Sequence, residues 1–152
     1  MYHKTQYAST LLVIFILCLL FLYILYFFQI GNNPVSSAAF TVFTLIFIAI
    51  GILFYKMTTI VTKQEIKVVY GIGVVRFNFK IDKLTTVEIT KTPWYYGWGI
   101  RYTPEGWLYN ISNLCAVRIT YEYNGSGKTV TIGTPDPENL REAIKSAFIS
   151  NA

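Results

Sequence analysis

Two long apolar segments near the start of the sequence limit most strongly what this chain can fold into. Residues 11–30 and residues 38–55 contain no Asp, Glu, Lys or Arg. As α-helices rising about 1.5 Å per residue, they would span ~27–30 Å, the thickness of the hydrocarbon core of a bilayer. A signal peptide is the alternative for the first segment, but such a peptide uses an apolar stretch of only ~7–15 residues. The sequence therefore predicts two transmembrane helices.

The charged residues are confined to the other part of the chain. Only 14% of the 152 residues are charged, whereas a soluble domain has roughly 25%. Lys4 is the one charged residue that comes before Lys56. This distribution excludes a wholly soluble protein. It predicts an N-terminal tail and membrane hairpin over residues 1–56, followed by one small domain over residues 57–152.

The loop between the two apolar segments is short, rich in turn-forming residues and uncharged. Residues 31–37 read GNNPVSS, so we expect the helices to form an antiparallel hairpin. Lys4 precedes the first helix and Lys56 follows the second. Because basic residues are retained on the cytoplasmic side, we expect both termini in the cytoplasm, and Asn32 and Asn33 outside. The predicted location is the plasma membrane, crossed twice.

The rest of the sequence has the period of β-strands and ends with a helical pattern. In residues 115–123 an apolar side chain recurs at every second position. Similar runs occupy residues 58–62, 66–70, 74–79, 84–90, 99–103, 107–111 and 128–134. Asp136 is a favourable N-cap for the helix that follows. Its apolar stripe comprises Leu140, Ala143, Ile144, Ala147 and Phe148. We expect an α+β domain, an antiparallel barrel or sandwich of about seven strands capped by one C-terminal helix.

Three segments of this region are similar to a known class of proteins. They read GWGIRYTPEGWLYNIS at residues 97–112, AVRITYEYNG at residues 116–125 and TIGTPDPENL at residues 131–140. Together with the strand pattern, they resemble the small bacterial membrane proteins of unknown function that carry a pleckstrin-homology-like (PH-like) domain. The resemblance covers most of residues 58–149, and it implies a fold and a membrane location. It implies no catalytic residue, no cofactor and no established ligand.

The residues that catalysis or metal binding would need are few and scattered. His3 is the only histidine and belongs to a terminus that we expect to be frayed, while Cys18 and Cys115 are in settings too different to pair. A zinc site needs several converging ligands of these types. Residues 125–129 (GSGKT) resemble the end of a phosphate-binding loop, but Glu122 occupies the position of its required first glycine. We therefore expect a hairpin turn there, and no enzyme activity, metal, cofactor or nucleic-acid partner.

Seven aromatic side chains crowd into sixteen residues and include all three tryptophans of the chain. They are Trp94, Tyr95, Tyr96, Trp98, Tyr102, Trp107 and Tyr109. Three interpretations are open: the core of the domain, which we favour, contact with the membrane interface, and a protein-binding surface. The core interpretation predicts that Trp107, in a strand, is buried, and that Trp94 is the most exposed tryptophan. The candidate binding residues are Trp94, Tyr95, Tyr96 and Trp98.

The anchor and the domain are joined with almost no linker. The second helix is expected to end at Tyr55 and the first strand to begin near Thr58. A domain held so close to the bilayer gains little localisation from weak lipid binding. The sequence therefore favours a non-catalytic, membrane-tethered PH-like module that presents a binding surface to protein partners at the inner membrane face. The alternatives are a structural subunit that self-assembles into a homo-oligomer, and a lipid-headgroup sensor. Against the sensor, Lys63, Lys67 and Arg76 are too dispersed for a phosphate cradle.

Overall fold

The chain folds into two apolar helices, two β-sheets and a third helix. The computed structural model describes residues 2–30 and 34–148. Helix α1 spans Ser9–Phe27 and helix α2 spans Ser37–Phe54, and each is long and apolar enough to cross a membrane. None of the residues described in these two helices is buried, which leaves their apolar side chains available to lipid. Asn32 and Asn33, for which an extracellular position is predicted, lie outside the described residues.

Aromatic contacts hold α1 and α2 side by side. The rings of Phe15 and Phe47 meet edge to face, with their centroids 5.8 Å apart. Near the other end of the pair, the rings of Tyr26 and Phe40 stack at 4.3 Å. Because an early residue of α1 meets a late residue of α2, and the reverse holds at the other end, the helices run antiparallel, as the short loop predicts.

A strand precedes the first helix. Strand β1 (Tyr2–Tyr7) pairs antiparallel with strand β2 (Lys56–Val61), which follows α2 directly. The amide of Ala8 donates a hydrogen bond to the carbonyl of Tyr55 at 2.9 Å, so α1 begins beside the point where α2 ends. The expectation of a frayed N-terminus is therefore wrong. A six-residue, largely polar segment carries little local strand signal, and its partner follows only after both helices.

The described strands form two sheets. The first consists of β1, β2, β3 (Glu65–Tyr70) and β4 (Val75–Lys80), paired in that order and all antiparallel. The second consists of β5 (Lys83–Lys91), β6 (Gly99–Thr103), β7 (Gly106–Asn110), β8 (Cys115–Tyr123) and β9 (Ser126–Gly133). Its strands are arranged in the order β5-β8-β9-β7-β6.

This architecture differs from the predicted barrel of about seven antiparallel strands. The described part of the chain contains nine strands, and both of its sheets are open. One pair is also parallel: β7 runs alongside β9, with Trp107 opposite Val130. The hairpin between β8 and β9 turns the chain back beside β7, so that β7 and β9 run in the same direction. Period-two patterning predicts strands but cannot show which of them become neighbours.

One hydrophobic core draws on both sheets and on the last helix. Its fully buried side chains include Met57, Ile66 and Val68 from the first sheet and Val117, Ile119 and Ile132 from the second. Helix α3 (Pro137–Phe148) adds Leu140 and Ile144, which are buried members of the predicted apolar stripe. The predicted C-terminal helix and the direction of its apolar face are therefore confirmed.

The strand directions define two ends of the domain. Strand β2 begins at Lys56, immediately after α2, and ends at Val61. We call the end at Lys56 the helix-proximal end and the opposite end the helix-distal end. Antiparallel pairing then places Tyr70 and Val75 at the helix-proximal end, and Lys80 at the helix-distal end.

Candidate functional site

Strand β6 separates the aromatic residues that precede it from those at and beyond its far end. Residues Trp94–Tyr96 form a short 3-10 helix ahead of β6, and Trp98 immediately precedes the strand. Tyr102 lies near its far end, opposite Trp107 of β7. At about 3.3 Å per residue, the four steps from Trp98 to Tyr102 place these two residues about 13 Å apart along the strand. The segment therefore offers two surfaces, not one.

The first surface is a groove of about 670 Å³ at the helix-distal end. We call it the distal groove, and define it by Phe79, Lys80, Tyr102, Trp107, Tyr123 and Lys128. The rings of Tyr102 and Trp107 meet edge to face at 5.5 Å, because their strands pair at this position. Tyr102 is 74% exposed and Trp107 is 48% exposed. The groove thus presents large aromatic faces to solvent.

The prediction that Trp107 is buried in the core is wrong, and the strand geometry explains why. Trp107 and Tyr109 lie two residues apart on β7 and therefore face the same side of the sheet. Tyr109 is covered there by the rings of Phe77 and Phe79 of β4, at 4.7 and 5.2 Å. Trp107 lies nearer the helix-distal end, and it is left half-exposed. The period-two pattern of β7 places Trp107 on the same side of the sheet as Tyr109, but it does not show how far the opposing sheet extends over that side.

The charge of the distal groove is positive. Lys80 and Lys128 line it, and no acidic side chain is among its described lining residues. The ammonium group of Lys128 lies 5.2 Å from the centroid of the Tyr123 ring, and neither lysine forms an ion pair with a described carboxylate. Burial raises the pKa of the Tyr109 and Tyr121 phenols, which stay neutral beneath the groove. The groove combines aromatic surface with two unpaired positive charges.

The second surface is a groove of about 600 Å³ at the helix-proximal end. We call it the proximal groove, and define it by Leu11, Phe15, Ile50, Phe54, Trp98 and Arg101. The first two residues belong to the start of α1 and the next two to the end of α2. The groove therefore lies where the helices meet the domain.

Hydrogen bonds link the residue Thr92, which precedes the predicted binding segment, to the loop after β7, and link that loop to β1. The amide of Thr92 donates to the carbonyl of Leu114 at 2.7 Å, and the hydroxyl of Ser112, in the same loop as Leu114, donates to the carbonyl of Tyr7 at 3.3 Å. Trp98 itself lies at the helix ends, where it lines the proximal groove.

The four predicted binding residues differ in exposure. Trp94 is 80% exposed and Tyr95 is 65% exposed, whereas Tyr96 and Trp98 are partly buried. Trp94 is the most exposed tryptophan, as predicted.

The backbone at Gly97 accommodates an arginine side chain. Gly97 has a φ of 67°, and a Cβ atom added there would lie 3.3 Å from the Nη2 atom of Arg101. The Nε atom of Arg101 donates to the carbonyl of Trp98 at 3.4 Å. The guanidinium group is thereby folded back over the Gly97–Trp98 backbone. It remains exposed, and no described carboxylate forms an ion pair with it.

The described residues bring together no metal site and no phosphate-binding loop. No three His, Cys, Asp or Glu side chains converge among them. Residues 125–129 belong to the β8–β9 hairpin, whose turn residues Asn124 and Gly125 have φ values of 50° and 72°. The predicted hairpin turn is confirmed. Glu88 and Glu122 are exposed, as strand parity predicts.

Sequence reasoning missed the basic residues of both grooves. Lys80, Arg101 and Lys128 come from three separate strands, and only the packing of the sheets shows what each lies beside. The concentration of aromatic residues is the sequence feature that indicates the grooves, because these residues lie in and before β6. The positions of the charged residues in the sequence do not indicate either groove.

Comparisons of the chain with protein-family models, with curated proteins and with solved structures find no match. The similarity to PH-like membrane proteins therefore rests on the three sequence segments and the strand pattern, and it stays a prediction.

Proposed function

We propose that the chain is a membrane-anchored, non-catalytic PH-like module whose distal groove binds protein partners at the cytoplasmic face of the plasma membrane. The observation that carries the proposal is the exposed pair of Tyr102 and Trp107 beside two unpaired lysines. Exposed Trp and Tyr residues are the usual anchors of protein interfaces. Their position at the helix-distal end directs them away from the bilayer that α1 and α2 would cross.

The junction with the helices supports a fixed presentation of this groove. Strands β1 and β2 pair along six residues, and one of them leads into α1 while the other leads out of α2. The amide of Gly71, in the turn between β3 and β4, also donates to the carbonyl of Lys56 at 2.8 Å. A domain attached at two adjacent points cannot swing freely, so the distal groove keeps one orientation toward the cytoplasm.

The chemistry of the distal groove favours an acidic segment of a partner protein. Lys80 and Lys128 would attract carboxylates, while Tyr102 and Trp107 would pack against an apolar or aromatic side chain of the same segment. Positive potential in the groove speeds association and selects against basic partners.

The membrane topology of the proposal is tested by cysteine labelling. We expect a cysteine at position 33 to react with a membrane-impermeant thiol reagent on intact cells, and a cysteine at position 128 to react only after lysis. The physical reason is the retention of Lys4 and Lys56 on the cytoplasmic side of an uncharged loop. Both variants are made with Cys18 and Cys115 replaced by alanine. Labelling at position 128 but not at position 33 on intact cells would invert the topology.

Partner binding is tested by site-specific crosslinking of the full chain in its native membrane. A photo-crosslinking amino acid at position 102 is expected to give a product larger than the chain. Reversing both groove charges (Lys80→Glu with Lys128→Glu) is expected to reduce that product at least about tenfold, because like charges then face the acidic partner.

The matched control is the pair Lys83→Glu and Lys91→Glu, two exposed lysines of β5 outside the groove. It changes the net charge equally and should leave the crosslinked product unaffected. Equal losses in both double variants would contradict binding at the groove. A product that contains only two copies of this chain would instead support the self-assembling subunit.

A further inference from the structure

The proximal groove combines the three features that bind a phospholipid. It is lined by apolar side chains of both helices, by a tryptophan, and by an arginine that forms no ion pair with a described carboxylate. We propose that this groove binds one anionic phospholipid taken from the surrounding bilayer. The proposal goes beyond partner binding at the helix-distal end and requires only that α1 and α2 lie in the membrane.

The helix walls would receive an acyl chain. Leu11 and Phe15 are four residues apart on α1, and Ile50 and Phe54 are four residues apart on α2. Residues at this spacing lie one above the other, so each pair forms an apolar strip about 6 Å long along its helix. These strips lie on the membrane-spanning helices themselves, and a lipid can enter the groove from the side without leaving the bilayer.

Arg101 would bind the headgroup phosphate. A guanidinium group offers five N–H donors, and one of them, at Nε, is already directed to the Trp98 carbonyl. This bond fixes the plane of the group while its other donors stay free for a phosphate, which arginine binds in a bidentate manner. Gly97 makes this position accessible, because a side chain there would crowd the Nη2 atom.

The aromatic residues before β6 locate the groove at the membrane surface. Trp and Tyr accumulate at the headgroup layer, where the ring is half in lipid and the polar atom half in water. Trp98 lines the groove and is partly buried there. The proposal therefore gives Trp98 of the predicted binding segment a membrane role, distinct from the surface at Tyr102 and Trp107 that is proposed for proteins.

Quenching by brominated lipids tests the site in the full-length protein. In the variant with Trp94→Phe and Trp107→Phe, Trp98 is the only fluorescent tryptophan, and the protein is reconstituted into phosphatidylcholine vesicles. A series of vesicles then contains increasing fractions of phosphatidylglycerol or phosphatidylcholine with brominated acyl chains. We expect brominated phosphatidylglycerol to quench Trp98 with about fivefold higher apparent affinity, the enrichment that one arginine provides at an anionic surface.

Two variants distinguish the effect of Arg101 on the lipid preference from the effect of the net charge of the protein. Arg101→Gln is expected to bring the two quenching curves together, whereas Lys83→Gln, which removes one exposed charge outside both grooves, is expected to keep the fivefold difference. Raising the salt concentration should also reduce the preference for the anionic lipid in the parent variant. This measurement does not depend on whether the Arg101→Gln variant folds.

Three results would overturn the proposal. Equal quenching of the parent by both brominated lipids would mean that the groove has no preference for an anionic headgroup. A preference that survives Arg101→Gln would remove the arginine from the site. Absence of Trp98 quenching in vesicles that float with the protein would mean that lipid does not enter the groove.

Discussion

Replacing Gly71 with alanine is expected to be among the most damaging single changes in the domain. Gly71 has a φ of 53°, and an added Cβ atom would overlap the backbone carbonyl oxygens of Ile52 and Leu53 in the last turns of α2. The left-handed conformation costs a non-glycine residue ~1–2 kcal/mol, and forced overpacking costs ~1–3 kcal/mol. We therefore expect the free energy of unfolding to fall by about 2–5 kcal/mol, the sum of the two effects.

Gly125→Ala is the matched control for this prediction. Gly125 has a φ of 72°, but nothing lies within 4 Å of its added Cβ atom, so that only the backbone strain applies. Denaturant unfolding of the full chain in detergent, followed by the near-UV signal of its aromatic residues, gives both values. If the two variants lose equal stability, the turn at Gly71 does not pack against α2 as the structure shows.

Replacing Gln6 with alanine is expected to lower the free energy of unfolding by about 1–3 kcal/mol, the cost of removing the hydrogen-bond partner of the buried Gly133 carbonyl. Gln6 is 7% exposed and belongs to β1, the strand that precedes α1. Its amide nitrogen donates to the carbonyl of Gly133 at 2.7 Å, and its amide oxygen accepts from the side chain of Asn113 at 2.6 Å. This one side chain thus joins the first sheet to the second.

His3→Ala is the control for the Gln6 variant, because His3 is exposed on the same strand. A surface substitution of this kind normally changes stability by less than about 0.5 kcal/mol. Thermal melting of both full-length variants, with a structural probe of the domain, decides between them. A Gln6→Ala variant as stable as His3→Ala would mean that β1 is not fixed to the second sheet.

The elements that the sequence predicts well are those specified by local patterns. The two apolar helices follow from long runs without charge, and α3 follows from a polar start and an apolar stripe. The β8–β9 hairpin follows from alternation on both sides of Asn124 and Gly125, which suit a turn with positive φ. In each case the residues that determine the structure are close in sequence.

The features that the sequence does not reveal depend on distant partners. β1 forms a strand because it pairs with the edge of β2. β7 pairs parallel with β9 because β8 lies between them in the chain and forms a hairpin with β9. Residues of β1 carry no apolar alternation that would mark them. The open form of both sheets depends on how far each strand extends past its neighbours, and a repeat of two residues contains no such information.

The dependence on distant contacts also limits what the sequence reveals about the candidate sites. The residues from Trp94 to Trp98 were identified because aromatic residues are concentrated there. Their division from Tyr102 and Trp107 required the direction of β6, and the pairing of each group with Lys80, Lys128 or Arg101 required the packing of both sheets. Composition located the aromatic residues, and only the fold located their charged neighbours.

If α1 and α2 cross a bilayer, the position of β1 makes assembly of the domain depend on the insertion of both helices. β1 comes before both helices in the chain and β2 comes after them, yet the two strands share one sheet. For an anchor that crosses the bilayer, the strands can meet only if both helices have inserted, since a single crossing would leave the strands in different compartments. In a chain with one helix misplaced, the first sheet therefore lacks β1. The second sheet lacks its contact with Gln6, so the domain cannot complete its fold.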